Sequence, residues 1–385
     1  MARLFLFTVL LVLPAAIVRA EDWVQWDRAS DHVVSAAHDT GAACPKARQL
    51  SDGEVLLTYH HGESYGNCGS RVTIRRSRDG GATWFQSQEV ESPERGFWGF
   101  SNPDVVELGR GRLLLVSAAR GRADTDGGDG FFDECRRSGL RLRFSEDYGA
   151  TWGPPRMIAM GQGRVWEPAV ARLPGGELQI FFAIESPALM TGGSTQCIEF
   201  VRSTDGGQKW SAPELISREP GCRNGVPNVL PTKDGHVLCA QEVVGMNTSP
   251  WIIDTLQGKV LHYGLAQDQY EFGGAPFLAR APDGGTLLAF HSQCRQSAYL
   301  RQFSGAWLFS DIYVQRGDAE GRNFGPASAP WPTYNELSGA FFPSLLVLKD
   351  GTLLVLASFI HANPDNKTST VVRAIRGRLL PSSPR

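Results

Sequence analysis

Two glutamates in the middle of the chain, Glu167 and Glu242, stand among apolar residues. Trp166 directly precedes the first, and Val243 directly follows the second. Apolar neighbours desolvate a carboxyl group, so it keeps its proton to higher pH, while a partner in a more polar setting stays ionised. A protonated and an ionised carboxyl that face one cleft are the minimum equipment for hydrolysing a glycosidic bond. The pair therefore predicts this chemistry if the fold brings the two side chains together.

A repeat of about 60 residues supplies the elements that would bring them together. Each copy begins with a proline, reaches a turn dipeptide seven residues later, and continues into an apolar run. The six prolines are Pro45, Pro103, Pro168, Pro227, Pro276 and Pro343. The glycines that end the six turn dipeptides are Gly53, Gly111, Gly176, Gly235, Gly284 and Gly351. A strand, a glycine turn and a second strand form a β-hairpin, so one hairpin recurs six times.

Six hairpins at this period predict an all-β fold, a six-bladed β-propeller with about four strands in each blade. Radial repetition leaves few sheet edges exposed, which favours the closed ring. We expect the segment from Trp23 to Ala37 to pair with the strand near Val371 and so close the ring. A single domain is expected over residues 21–385.

A second motif falls within the same period. It reads Ser-x-Asp-x-Gly and ends in Trp, at Ser77–Trp84, Ser145–Trp152 and Ser203–Trp210, with a decayed copy at Asp318–Phe324. The aspartate is expected to cap backbone N–H groups of a tight turn, and the tryptophan to pack between blades. We therefore assign Asp79, Asp147 and Asp205 a structural role at the outer hairpins. The motif resembles the Asp-box of the sialidase superfamily, which implies the same propeller.

The register of the repeat indicates which residues share one mouth of the propeller. The residue before each proline and the residue fifteen after it lie at the same strand ends, so both positions face that mouth. The positions before proline (the −1 positions) are Cys44, Asn102, Glu167, Val226, Ala275 and Phe342. The positions fifteen residues after it (the +15 positions) are His60, Ala118, Ala183, Glu242, His291 and Ser358. Glu167 and Glu242 thus reach the mouth from adjacent blades.

Further polar and aromatic residues fall at the same mouth and are candidates for binding substrate. They are Arg120, Glu185, Arg223, His60, His291, Asn102 and Trp166. The alternative is that the acids are solvated rim residues paired with the arginines, and that the two histidines only end strands. The acidic, glycine-rich segment from Asp124 to Glu134 is predicted to be a mobile loop over the mouth, because its spacing does not match a calcium loop.

The first twenty residues have the features of a secretory signal peptide. Arg3 precedes an apolar run, Leu4 to Val18, and small residues permit cleavage after Ala20. A retained N-terminal anchor is the alternative. Glycosylation sequons at Asn247 and Asn366 agree with a secreted, extracellular protein.

Seven cysteines follow the predicted cleavage site. They are Cys44, Cys68, Cys135, Cys197, Cys222, Cys239 and Cys294. An oxidising compartment allows up to three disulfides and leaves one thiol, for which Cys239 is the candidate because it lies in an apolar run. Their spacing fits no zinc site, and the sequence contains no nucleotide-binding motif. We expect no metal and no cofactor.

The charge balance bears on possible partners. Lys and Arg number 38 against 40 Asp and Glu, a formal net charge of −2. Such a chain lacks the basic footprint of a protein that binds nucleic acid or an anionic membrane. We expect neither partner, and we expect a monomer that binds carbohydrate.

Within the sialidase superfamily, the central third of the chain is most similar to the exo-arabinanase family of glycoside hydrolases. The matching stretches are Trp166-Glu167-Pro168, Gly176 to Gln179 with Glu185, Arg223 to Pro227, Gln241-Glu242, and Asn102-Pro103 with Arg120. The resemblance implies an exo-acting enzyme on an arabinan-like oligosaccharide, with Glu167 and Glu242 as its catalytic carboxylates.

Two other functions stay open. A sialidase needs an arginine trio and a tyrosine nucleophile, but the corresponding positions hold Ala43 and Phe341 or Phe342, so ordinary sialidase chemistry is expected to fail. A non-catalytic sugar-binding propeller is the other alternative. For an enzyme, Trp166 favours Glu167 as the acid, and adjacent blades favour a short carboxyl separation and hence retention.

Overall fold

A computed structural model describes residues 23–62, 69–121, 131–188, 195–245, 250–265, 273–292, 310–331, 338–362 and 368–380. These residues form six antiparallel sheets that are the six blades of a propeller, so the predicted fold is confirmed. Five sheets contain four strands each and the fifth blade contains three within the described residues. Blades are numbered from the N-terminal proline of the repeat.

The first three blades carry the strands up to residue 217. Blade 1 consists of β2 (Ala43–Gln49), β3 (Val55–His61), β4 (Arg71–Ser77) and β5 (Phe85–Glu91). Blade 2 consists of β6 (Phe97–Gly109), β7 (Arg112–Gly121), β8 (Gly139–Ser145) and β9 (Arg156–Ile158), with helix α1 (Phe131–Arg137) between β7 and β8. Blade 3 consists of β10 (Arg164–Arg172), β11 (Leu178–Glu185), β12 (Cys197–Ser203) and β13 (Glu214–Ser217).

The other three blades complete the ring. Blade 4 consists of β14 (Arg223–Pro231), β15 (His236–Val244), β16 (Trp251–Leu256) and β17 (Lys259–Leu265). Blade 5 consists of β18 (Gly274–Arg280), β19 (Thr286–Ser292) and β20 (Asp311–Gly317). Blade 6 consists of β21 (Ser338–Val347), β22 (Thr352–Ala362), β23 (Thr368–Leu379) and β1 (Val24–Val33).

The ring is closed by the two ends of the chain. β1 pairs antiparallel with β23, from Val24 opposite Leu379 to Val33 opposite Arg373. The Arg373 guanidinium also forms an ion pair with Asp31 of the same pairing, at 2.9 Å. The predicted closure by the N-terminal segment is therefore confirmed.

The hairpin turns follow the predicted register. The glycines that end the six turn dipeptides all have positive φ, between 76° and 95°. Only glycine adopts this backbone conformation without a steric penalty, which explains why the turns repeat it. Each turn joins the two innermost strands of a blade. The −1 and +15 positions therefore lie at the ends of these strands that face away from the turn.

The Asp-box motifs connect the outer two strands of blades 1, 2 and 3. In blade 1 the Asp79 carboxylate accepts hydrogen bonds from the N–H of Thr83 at 2.9 Å and from the Ser77 hydroxyl at 2.8 Å. Asp147 and Asp205 accept equivalent bonds, and Asp318 accepts one from the N–H of Arg322 at 2.7 Å. The decayed fourth copy thus retains the same cap.

Apolar side chains of neighbouring blades pack against each other all round the ring. Between blades 6 and 1, for example, Leu354 and Leu356 form one cluster with Val55 and Leu57, and Trp84 of the first Asp-box packs against it. Burial of these side chains is the main favourable contribution to folding. The core therefore lies between blades and holds their inner strand ends at fixed positions.

The prediction of up to three disulfides is not supported. Five of the seven cysteines, Cys44, Cys135, Cys197, Cys222 and Cys239, are buried and form no disulfide, so at most one pair remains. Cys239 is fully buried, as expected. Cys68 and Cys294, the signal peptide, both sequons and residues 124–130 of the acidic segment lie outside the described residues.

Candidate active site

Six residues with the same unusual backbone surround the propeller axis. They are the −1 residues of the six blades, Cys44, Asn102, Glu167, Val226, Ala275 and Phe342, and each has φ between 44° and 54°. At each of them the pairing between the two innermost strands shifts, so the residue and its proline form a bulge. All six line one narrow central cavity.

The sequence explains the bulges. A residue before proline is excluded from the right-handed helical region, and proline has no N–H with which to continue the sheet ladder. A bulge re-aims a side chain out of the sheet. The six −1 side chains are therefore directed to the axis, which the repeat register had indicated.

The +15 side chains connect neighbouring blades. The N–H of Cys44 donates to Ser358 Oγ at 3.0 Å, that of Asn102 to His60 Nδ1 at 3.2 Å, and that of Ala275 to Glu242 Oε2 at 2.9 Å. In each case the donor belongs to the blade that follows the acceptor. We call these contacts inter-blade latches.

Blade 3 departs from this pattern in a way that shapes the site. Its +15 residue is Ala183, which has no side-chain acceptor, and the N–H of Val226 in blade 4 donates instead to Glu167 Oε2 at 2.8 Å. The Glu167 carboxyl is thereby held over the boundary between blades 3 and 4. It faces the side where blade 4 presents Glu242.

Arg223 joins the two carboxyl groups. Its guanidinium forms an ion pair with Glu242 Oε1 and donates to Gln196 Oε1 at 2.9 Å. Burial alone lowers the pKa of Arg223, but the charges of Glu242 and Glu167 outweigh it and the net pKa is raised. The structure therefore brings together Glu167, Glu242 and Arg223, three of the predicted site residues.

The two carboxyl groups differ in their surroundings. Burial raises the pKa of Glu167 to about 7; Arg223 opposes this shift, and the nearby charge of Glu242 adds to it. Glu242 is only 1% exposed, but both of its oxygens have partners, Arg223 and the N–H of Ala275. Near neutral pH, Glu167 thus exchanges a proton readily, whereas the Glu242 carboxyl is engaged by the Arg223 guanidinium and the Ala275 N–H.

A second polar cluster occupies the mouth beside blades 2 and 3. The Arg120 guanidinium lies over the Trp166 ring, 3.4 Å from its centroid, and pairs with Glu134 of α1 at 2.7 Å. Glu134 also pairs with Arg164 at 2.8 Å, and Arg164 lies 3.7 Å from Glu185. The predicted residues Arg120, Trp166 and Glu185 therefore meet in this cluster. One of them, Trp166, directly precedes Glu167 in the sequence.

The two histidines are buried at the axis. Burial lowers the pKa of His60 to about 3 and that of His291 to about 4, so both are neutral at physiological pH. His60 accepts the latch from Asn102, whose side-chain amide donates to Cys44 Sγ at 3.1 Å. The His291 ring meets the Phe342 ring edge-on, with centroids 6.3 Å apart. The latch gives His60 a structural role that its sequence position did not reveal.

Blades 5, 6 and 1 present an apolar arc around the axis. It consists of Ala43, Cys44, Ala275, Phe341 and Phe342, all buried and packed together. The two halves of the mouth thus differ in character, with charged groups on blades 2 to 4 and apolar groups opposite them.

Sequence reasoning missed several polar residues of the mouth. Arg164 stands four residues before Pro168, the same offset that Arg223 has from Pro227, so the repeat could have revealed it. Glu134 and Gln196 follow no such offset. Within the described part of the chain, no three His, Cys, Asp or Glu side chains are grouped to hold a metal ion, and no helix there is long and apolar enough to cross a membrane.

Solved structures share this fold at low sequence identity. A protein of unknown function from Dyadobacter fermentans has a TM-score of 0.71 at 18% identity, over 93% of this chain and 100% of its own. Trypanosoma rangeli sialidase has a TM-score of 0.64 at 14% identity; the match covers 89% of this chain and 59% of the sialidase. The GH93 α-L-arabinofuranosidase of Fusarium graminearum, in complex with arabinobiose, has a TM-score of 0.60 at 16% identity, over 92% of this chain and 98% of that one.

The chain therefore has the six-bladed propeller fold of the sialidases and of this arabinofuranosidase, as the sequence resemblance implied. No family model and no curated protein matches the sequence.

Proposed function

We propose that the protein is a secreted, exo-acting glycoside hydrolase with Glu167 and Glu242 as its catalytic carboxyl groups. One arrangement carries the proposal: the half-buried carboxyl of Glu167, whose pKa is raised to about 7, lies at the mouth and interacts with the ion-paired carboxyl of Glu242. Two carboxyl groups in such unequal surroundings divide the acid and base roles between them.

The roles follow from the surroundings of each group. Glu167, protonated at and below neutral pH, gives its proton to the glycosidic oxygen as the bond to the anomeric carbon breaks. Glu242, held as the anion by Arg223, attacks the anomeric carbon or takes a proton from the water that attacks it. Arg223 keeps Glu242 ionised until the substrate arrives, and the carboxylate left on Glu167 is available to accept the next proton.

The substrate that best fits this mouth is a neutral, arabinan-like oligosaccharide. The apolar arc of Ala43, Phe341 and Phe342 lies where a sialidase would need an arginine and a tyrosine, so it offers a sialic acid carboxylate no counter-charge. The arabinofuranosidase whose fold this chain covers almost completely supports the same substrate class. Trp166, half-buried beside Glu167 and backed on one face by Arg120, supplies an aromatic ring that a sugar can contact.

Product analysis on a panel of oligosaccharides tests the proposal. Residues 21–385 are incubated with α-linked arabino-, galacto- and sialo-oligosaccharides, and the released sugars are separated by chromatography. We expect release of neutral monosaccharide from arabino-oligosaccharides, reduced by several orders of magnitude in Glu167→Gln and in Glu242→Gln. Glu146→Gln, which alters an exposed ion pair with Arg112, is the matched control and should retain full activity.

Near-wild-type turnover in both active-site variants would contradict the catalytic assignment, and release of sialic acid alone would contradict the proposed substrate class.

A non-catalytic sugar-binding propeller is the second candidate function, because both Glu242 oxygens already stabilise the fold, one in a latch and the other in an ion pair. Sugar binding by calorimetry without any hydrolysis would favour that function.

A further inference from the structure

A largely buried charge from two blades away reaches the bulge that carries Glu167. The Lys46 side chain, on β2 of blade 1, donates from Nζ to the carbonyl oxygen of Pro168 at 2.7 Å. Pro168 directly follows Glu167 and belongs to the same bulge of blade 3. The contact therefore spans from the first blade to the third.

A second buried charge holds this lysine in place. The Asp104 carboxylate, on β6 of blade 2, is fully buried and lies 3.7 Å from Lys46 Nζ. Arg48 donates two hydrogen bonds to the Asp104 carboxylate, at 3.0 and 3.2 Å, and the N–H of Val170 donates a third at 3.1 Å. Because every group around it is a donor or a cation, Asp104 is an anion that stabilises the charged form of Lys46.

Blade 2 shows that this bulge carbonyl does not require a charged donor. The equivalent carbonyl, that of Pro103, lies 3.3 Å from the neutral hydroxyl of Thr58, which it shares as acceptor with the Lys46 carbonyl oxygen at 3.2 Å. A buried ammonium is far more costly to desolvate than a hydroxyl. In blade 3 the protein nevertheless uses an ammonium, and the residue before the proline there is Glu167 where blade 2 has the neutral Asn102.

We propose that Lys46 is a positioning residue for Glu167: it fixes the bulge that presents this carboxyl group, and its positive charge favours the ionised carboxylate. This role rests on the proposed function only in that Glu167 is taken as the acid. The proton that Glu167 gives to the leaving oxygen departs more readily because a cation remains nearby.

The electrostatic surroundings support this role. The charged groups that face Glu167 are Arg223 and Lys46, which lower its pKa, and Glu242, which raises it. Burial lowers the pKa of Lys46, and Asp104 is the main group that opposes this effect. Arg48 and Cys44 also face the lysine, the first disfavouring its charge and the second favouring it.

Direct titration of Glu167 tests the proposal without any need for turnover. Carboxyl resonances are followed by NMR in protein labelled with ¹³C at the glutamate side chains, and the Glu167 signal is assigned by its loss in Glu167→Gln. We expect Lys46→Met to raise the pKa of Glu167, because the variant removes a positive charge that favours the ionised carboxylate. Arg48→Met is the matched control: it removes a cation from the same aspartate and should leave the Glu167 titration unchanged.

Lys46→Gln removes the positive charge but retains a hydrogen-bond donor, so it distinguishes the two effects. It also replaces Lys46→Met in the titration if that variant does not fold. It keeps a donor near the Pro168 carbonyl but should still raise the pKa of Glu167. In a protein that hydrolyses substrate, the alkaline limb of the kcat/KM profile should move up with the titration in both Lys46 variants. An unchanged Glu167 titration in the Lys46 variants, or an equal shift in Arg48→Met, overturns the proposal. A shifted titration in a protein without hydrolysis overturns the proposed function alone.

Discussion

The burial of Glu167 should make the stability of the whole propeller depend on pH. Burial raises the pKa of this carboxyl from the ordinary 4.5 to about 7, so between these values the folded protein holds a proton that the unfolded chain releases. The free energy of unfolding falls with pH wherever the folded state binds more protons. The contribution of Glu167 to the free energy of unfolding therefore falls as pH rises from about 4.5 to about 7, opposite in sign to the contribution of the buried His60 and His291.

The size of the effect follows from the shift itself. A difference of about 2.5 units at about 1.36 kcal/mol each corresponds to about 3 kcal/mol. Glu167→Gln has nearly the same shape, keeps an acceptor for the Val226 N–H and carries no titrating group, so it should lack this loss. Urea unfolding at a series of pH values from 4 to 8 measures the difference between wild type and variant.

We expect the variant to gain stability relative to wild type, by up to about 3 kcal/mol, as pH rises through this window. Above pH 7.5 the difference should level off, because the wild-type carboxyl is then ionised in both states. Glu146→Gln is the control for removing an exposed carboxylate and should show no such trend. Parallel curves for wild type and Glu167→Gln would refute the argument that burial controls this carboxyl.

Four further outcomes are expected. Asp79→Ala should lower the free energy of unfolding by about 1 kcal/mol, as loss of a cap does, without changing kcat. Hydrogen bonds to the Asp79 carboxylate outweigh its burial and lower its pKa. Circular dichroism melts should therefore show that the stability contributed by Asp79 fades below about pH 4. Arg223→Met should reduce kcat about 100-fold, because the Glu242 carboxylate loses its counter-charge, and stopped assays across pH should show the acid limb moved upward. Phe342→Tyr should leave sialyllactose intact by chromatography, because Ala43 still offers no charge to the substrate carboxylate. Proton NMR of the first-formed product should show retained anomeric configuration; inversion would indicate carboxyl groups about 6.5–9.5 Å apart.

The repeat made the propeller and the ring around its axis predictable from sequence. A proline and a glycine turn at a fixed offset set the same bulge and the same hairpin in every blade, so the register placed Glu167 and Glu242 at one mouth. This part of the structure depends on local backbone geometry, which the positions of proline and glycine in a single sequence indicate directly.

Contacts between blades could not be predicted in the same way. Lys46 and Asp104 read as ordinary strand residues, and their meeting with Pro168 depends on how three blades surround the axis. Glu134 reaches Arg120 and Arg164 from helix α1, which the repeat did not predict. The role of each such residue depends on partners that are distant in sequence.

The −1 bulges have a consequence for how this scaffold can diversify. Six different residue types, among them the β-branched Val226 and the aromatic Phe342, adopt nearly one backbone conformation there. The proline and the strand pairing thus impose the conformation, although left-handed geometry is unfavourable for such side chains. One main-chain geometry thus carries six different side chains, so the chemistry around the axis can differ from blade to blade. A library that varies only these six codons would sample new active sites on an unaltered framework.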